Sequence, residues 1–561
     1  MSNRIMQDFS ITTMINRMIP IFEKVRKMLT AFSTSDNFSF KKYFLLILFF
    51  LITLLLLEVS AQSLGPRPIA QHSIGLKVDG TVYTWGYNYY GQLGDNTTTQ
   101  SNTPVKVLKG AYSEGTTYLG DNVNNKITAV ALGNVSSIAV TEDGIVYTWG
   151  HNYYGNLGDN TATQRNTPVK VLKGEYSGTT YLGDNASNPI IDVAMGYYFS
   201  IALASDGTVY SWGINSYGKL GDNTTTQRNT PVKVLKGEYS GTTYLGDNSS
   251  NKIISVRLGN LHSIALAEDG TVYTWGYNSY GALGDNTTTQ RWTPVKVLKG
   301  EYSGTTYLGD NSNNKIIAVA VGQYHSIALA ADGTVYTWGS NANGNLGDNT
   351  TTERWTPIKV LKGEYSGTTY LGDNGSNPIV SVAVGNHNAI ALAEDGTVFT
   401  WGFNNYGQLG DGTEDTDRLT PIKVLKGDYS GTTYLGDNAS NPITAASFGN
   451  MYSIALAEDG TVFTWGRNNL GQLGDNTTTQ RNTPVKVNGI GGIGYLALPV
   501  ELTSFKALQK GNAIILNWQT ETESNNYGFD VERSQDNDWQ KIGFVEGHGK
   551  SNSPKNYSFT D

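Results

Sequence analysis

Histidine is the side chain most ready to move a proton near neutral pH, and this chain holds six: His72, His151, His262, His325, His387 and His548. Three of them (His72, His262 and His325) stand directly before a Ser-Ile pair, a position that recurs along the chain. Other copies place Ser136, Phe199, Asn388 and Tyr452 there. A slot that accepts phenylalanine or serine in place of histidine is not a shared base or metal site. Carboxylates offer another route to chemistry. Asp95, Asp159, Asp222, Asp285, Asp348 and Asp475 each sit in an LGDN loop. One carboxylate per loop falls short of the roughly six to eight oxygens that calcium takes, so these aspartates read as Asx-turn caps. Only the loop DGTEDTDR gathers more, with Asp411, Glu414, Asp415 and Asp417. It is a weak calcium candidate, because its spacing does not follow an EF-hand loop. There is no cysteine, no H-E-x-x-H and no G-x-S-x-G. Thiolate, zincin and nucleophile-elbow chemistry therefore have no residues to work with. No catalytic residue, metal or cofactor is expected.

Tyrosine offers binding instead of catalysis. A segment such as LKGEYSGTTYLGDNASNP, from Leu172, recurs between copies and carries tyrosines in pairs. The pairs are Tyr112 and Tyr118, Tyr176 and Tyr181, Tyr239 and Tyr244, Tyr302 and Tyr307, Tyr365 and Tyr370, and Tyr429 and Tyr434. As cross-strand partners they would merely stiffen a hairpin. As a ring of amphipathic side chains on one rim they are candidate ligand-binding residues for a protein or a glycan.

The elements that must position these residues repeat at a fixed interval. Trp85, Trp149, Trp212, Trp275, Trp338, Trp401 and Trp465 follow one another every 63 or 64 residues, each before glycine. A period of that size signals a repeat architecture. One copy contains the β-branched run Ile316 to Val321, then SIALAADGTVYTWG, then TPIKV opened by Pro357. The Asp-Gly pair reads as a two-residue type I′ hairpin turn, which needs positive φ at both positions. The fourth run reads as an outer strand, because proline has no N–H to give a further neighbour. Four short strands in each of seven copies predict an all-β, seven-bladed β-propeller with added hairpins between blades. The tryptophans are expected to wedge between neighbouring blades.

The motif AVGQYHSIALAADGTVYTWGSNANGNLGDNTTTERWTPIKV resembles the regulator of chromosome condensation repeat. The likeness covers Ile69 to about Leu498 and rests on the H-S-I element, the D-G turn, the W-G end and the N-x-x-G-x-L-G loop. That resemblance also implies seven blades. In the family's eukaryotic founder it implies guanine nucleotide exchange on a small GTPase, through one wedge inserted in one blade. This chain instead carries six similar inserts. The first copy, from Arg67-Pro68-Ile69, lacks the β-branched strand that opens the others. Ile493 to Leu498 is predicted to supply it, sealing the ring.

Around residues 65–498 the texture changes. Lys41 and Lys42 precede an apolar run from Tyr43 to Leu57, with Val59 and Ala61 at small-residue cleavage positions, so residues 1–61 read as a signal peptide with an N-terminal extension. Residues 499–561 have strand-like alternation without the repeat. They resemble an incomplete fibronectin type III-like module, the partial β-sandwich that precedes a type IX secretion sorting domain in bacterial surface proteins. The expectation is a secreted or outer-surface bacterial protein, monomeric, meeting the membrane only through its signal or export machinery. Lys+Arg 40 against Asp+Glu 48 gives a net charge of -8, which argues against a nucleic-acid partner. The sequence points to a non-catalytic binding or scaffold protein. Nucleotide exchange and an extracellular glycan-active enzyme are the alternatives; the latter would need one unique carboxylate pair.

Overall fold

The computed structural model describes residues 70–77, 79–112, 117–122, 124–492 and 494–496, together with the backbone of strands between 502 and 560. The segment expected to be a signal peptide lies outside the described residues. No described helix is long and apolar enough to cross a membrane.

Each copy folds into one antiparallel sheet. The first is β1 (His72–Leu76), β2 (Val82–Gly86) and β3 (Ser101–Lys106); the second is β4 (Ile127–Leu132), β5 (Ser136–Thr141), β6 (Val146–Gly150) and β7 (Arg165–Lys170). Five further four-stranded sheets repeat the second, giving seven blades. The opening strands of successive blades lie side by side around the axis. The outer strand carries the proline, as its missing N–H requires. Because strands alternate in direction, two connections of every blade meet on one face of the ring. These join the first strand to the second and the third to the fourth. The Asp-Gly turns and the inserts meet on the opposite face.

The cores lie between blades, not within them. All seven repeat tryptophans are buried, and each indole N–H donates to a carbonyl of the preceding blade. Trp149 reaches the Gln92 oxygen at 2.8 Å and Trp275 the Lys219 oxygen at 2.9 Å. The glycine of each LGDN loop makes room for this ring. At Gly158 (φ 71°) a Cβ would lie 2.8 Å from the Trp212 Nε1. The Asp-Gly turns differ from the type I′ expectation. Gly270 has positive φ but Asp269 does not. Gly270 N–H donates to the Ala267 carbonyl and Ala267 N–H to the Thr271 carbonyl, a three-residue loop built on a type I turn with a bulged glycine. The aspartate's role is to accept the Thr271 N–H through its carboxylate, at 2.9 Å.

The predicted donated strand is also corrected. Tyr495 bridges Asn488, as Tyr434 bridges Leu425 one blade earlier. Leu496 N–H donates to the Val487 carbonyl at 3.0 Å, and its side chain is buried with Tyr83, Trp85 and Val487. The segment is thus a shortened seventh insert. The backbone of its described residues, Gly494 to Leu496, pairs with the seventh blade and not with β1. Ile493, Ala497 and Leu498 of the expected strand lie outside the described residues, among which the first blade is three-stranded. Further on, residues 502–510, 513–520 and 555–560 form one sheet, and residues 523–535 and 538–551 another.

Candidate functional site

The histidines of the Ser-Ile slot are interior. His72, His262 and His325 are buried, and burial pushes each imidazole down to about 3. His72 Nε2 lies 2.7 Å from Ser137 Oγ, a distance that would suit a nucleophile and its base. The hydroxyl is already spent, because Ser137 donates to the Gln92 carbonyl that also receives the Trp149 indole. His262 meets Ser326 at 2.9 Å in the same way. These contacts tie one blade to the next, and no substrate reaches them.

The carboxylates are spent similarly. In six LGDN-type loops an arginine of the outer strand pairs with the aspartate, as in Arg165–Asp159 at 2.7 Å. The same carboxylate accepts the Thr161 N–H, the expected Asx turn. The calcium candidate does not assemble. Asp411 pairs with Arg418 and caps Thr413. Asp417 turns to Asn343 and the Asn404 N–H, Glu414 accepts from Gln480, and Asp415 is the left-handed residue of the turn. No cluster of three metal-ligating side chains occurs among the described residues.

One tyrosine of each pair is interior and unavailable to a ligand, which corrects the expected ring for six of its twelve members. Tyr112, Tyr176, Tyr239, Tyr302, Tyr365 and Tyr429 are buried in the inter-blade cores. Their hydroxyls donate to nearby loop carbonyls, Tyr112 to Asn125 at 2.7 Å and Tyr176 to Asn188. Their partners Tyr118, Tyr181, Tyr244, Tyr307, Tyr370 and Tyr434 each carry a lysine ammonium over the ring, as Lys170 lies 5.1 Å from Tyr181. The inserts fold down as clasps. Asp184 accepts the N–H groups of Thr179, Thr180 and Tyr181; burial opposes its charge, but these donors prevail and hold the carboxyl below the usual range. Glu175 N–H donates to the Pro231 carbonyl of the next blade, and its carboxylate accepts the Lys233 N–H at 2.8 Å.

The opposite face carries what the repeat comparison singles out. Tyr217 packs on Tyr277 (centroids 5.0 Å apart), and Tyr277 on Tyr324 (5.8 Å). Tyr324 meets His387 at 6.4 Å, His387 meets Phe403 at 6.2 Å, and Phe403 meets Tyr406 at 6.5 Å. The Arg467 guanidinium then lies 5.3 Å from the Tyr406 ring. This arc runs from the third blade to the seventh. A second arc joins Tyr90, His151, Tyr154 and Tyr198 over the first three blades. Between the arcs, Lys219 is buried, with Nζ 3.3 Å from the Tyr197 carbonyl, 3.4 Å from that of Asn260 and 4.5 Å from the Phe199 ring. Burial without a carboxylate partner brings its ammonium down to about 7. On the axis, Asp192 and Arg257 pair at 2.6 Å between adjacent opening strands. Their counterparts in the other blades are alanine or serine.

Residues 69–366 and 182–510 match the family described as RCC1-like domain. The chain belongs to the RCC1-like domain family. This RCC1-like protein is 28% identical over 421 residues to the ultraviolet-B receptor UVR8 of Arabidopsis thaliana, covering 74% of this chain and 79% of the receptor. It is 27% identical to the human E3 ubiquitin-protein ligase HERC2 over 74% of this chain, but that match spans only 7% of HERC2. Among solved structures, human WBSCR16 superposes with a TM-score of 0.57 at 21% identity, covering 75% of this chain and 96% of that one. Prp20p of Saccharomyces cerevisiae gives 0.56 at 20% identity, covering 74% and 87%. These last two likenesses concern the fold alone.

Proposed function

We propose that this RCC1-like protein is a non-catalytic, exported binding or scaffold protein that engages a protein or glycan ligand through its aromatic loop face. The observation that carries the reading is the unequal use of polar chemistry on the two sides. The Ser-Ile-slot histidines, their serines and the buried insert tyrosines are consumed between blades and the loop aspartates in capping their own turns, whereas the Tyr217-to-Arg467 arc lies on a face of non-equivalent loops. Export rests on the basic pair and apolar run before residue 65, and a bacterial surface setting on the likeness of residues 499–561 to a fibronectin type III-like module. Nucleotide exchange is the weaker reading, since among the described residues the inserts lie down as similar clasps and none stands out as a wedge. The test is capture from culture and cell-surface material on the immobilised protein. Substituting Tyr217, Tyr277 and Tyr324 by serine should abolish capture, and substituting Tyr181 and Tyr244 should not. Capture that depends on the insert tyrosines alone would overturn the assignment of the face.

A further inference from the structure

We infer that the outer rim of the loop face over the third to fifth blades is a stacking site for a neutral oligosaccharide, with Trp292 and Trp355 as its platforms. The inference rests on the binding reading above and names the ligand class of that face. Both tryptophans occupy the second position of an outer strand, where four copies have asparagine and one has leucine. They are 43% exposed, while the seven repeat tryptophans are fully buried.

The exchange gives the fold little. Where the residue is asparagine, it covers a glycine of the preceding blade and accepts from a glutamine two positions earlier. Gln164 Nε2 donates to Asn166 Oδ1 at 2.9 Å, for example. Trp292 still covers Gly218 and Trp355 still covers Gly281. With tryptophan there, Gln290 has no such amide to bond, and half of each indole meets water. Exposed aromatic area held in a fixed orientation is what a ligand can use. The glycine that each ring covers follows a tyrosine in sequence: Tyr217 precedes Gly218, and Tyr280 precedes Gly281. Tyr217 contacts Tyr277, and Tyr280 lies 4.9 Å from Tyr324.

The surrounding charge selects the ligand. The two outer-strand cations beside the indoles, Arg291 and Arg354, are paired with Asp285 at 2.7 Å and Asp348 at 2.6 Å. An anionic ligand therefore finds neither of these two guanidinium groups free. What remains is indole faces, phenol hydroxyls, the Gln290 amide and one exposed carboxylate, Glu353. A protein interface centre is enriched in aromatic rings, methionine and arginine; methionine is missing beside these indoles, and the two arginines there are held by aspartates. Flat rings beside hydroxyl-matching polar groups instead suit a pyranose, whose axial C–H face stacks while its equatorial hydroxyls accept and donate hydrogen bonds.

The experiment titrates the full chain with cellohexaose, maltohexaose and chitohexaose while following tryptophan emission. At least one should give a saturable blue shift. Trp292→Asn and Trp355→Asn should each weaken it by about tenfold, the scale of one lost aromatic contact. Both variants install the residue that other blades already carry, so their melting should match the parent. The inference is overturned if none of the three sugars shifts the emission. It is equally overturned if the shift survives in the double variant. Protein capture that is lost in the double variant without any sugar response would also overturn it, while leaving the binding reading standing.

Discussion

The Trp85 indole of the first blade donates to the Gln472 carbonyl of the seventh at 3.0 Å, across 387 positions of sequence. The same bond joins every other pair of neighbours, so the ring closes with its ordinary inter-blade joint. Supporting bonds run from the Asn450 N–H to the Ala70 carbonyl and from the Tyr452 hydroxyl to the His72 carbonyl.

If that joint is ordinary, breaking it should cost what breaking any other costs. Trp85→Ala and Trp275→Ala should each lose about 3–5 kcal/mol, the usual range for a buried tryptophan. Chemical denaturation of the two variants checks this. A much smaller loss for Trp85→Ala would mean that the first and seventh blades do not meet in solution.

Lys219 should make stability depend on alkaline pH. Its ammonium is held near 7 in the fold and at 10.5 ordinarily. The unfolded chain therefore binds the extra proton between those values, and stability rises with pH across that window by up to about 1.4 kcal/mol per unit. Below about 7 the full penalty is present. Gln92, Gln408 and Gln472 hold the equivalent position in other blades. Lys219→Gln should accordingly raise stability near neutral pH and remove this part of the slope, as read from urea midpoints at several pH values.

The buried histidines predict the acid side. His72, His262 and His325 stay neutral in the fold down to about 3, whereas the unfolded chain protonates them near the ordinary 6.5. Their contribution is complete above 6.5 and is lost as pH falls toward 3. Asn388 fills the same slot in the sixth blade, so His262→Asn should fold and show a shallower acid slope than the parent. An unchanged slope would contradict a neutral, buried His262.

The insert tyrosines should divide into two stability classes. Tyr176→Phe leaves the Asn188 carbonyl without its buried donor and should cost about 1–2 kcal/mol. Tyr181→Ser removes a half-exposed ring beneath Lys170 and should cost roughly 0.5–1 kcal/mol. Thermal melting of the two variants distinguishes them, and equal losses would mean that Tyr176 is not interior.

The period of the tryptophans, the four strands per copy and the outer place of the proline-bearing run were all readable from residue types, because each follows from local chemistry. The turn type is not legible, because Asp-Gly serves both a two-residue loop and a bulged three-residue loop, and only the register of Leu266 opposite Val272 decides. The tyrosine pairs carried their own warning: like Trp149, they recur in equivalent places, which is the mark of packing. The aromatic arc was hidden for the opposite reason. Tyr277 follows the third strand of one blade and Tyr324 precedes the second strand of the next, so they meet only through topology. The place of Leu496 is not legible because its apolar run suits an inner edge strand equally well, whereas the fold uses its side chain to cover Trp85.

The first blade, three-stranded among the described residues, and the clipped seventh insert have a consequence for assembly. Six sheets with nearly interchangeable flanks invite mistaken partners during folding, both within one chain and between neighbouring chains. Two unlike ends that complement each other give the circle a starting mark. A circular permutant opened between two complete blades would lose that mark and should populate exchanged dimers, where the natural order yields a single closed ring.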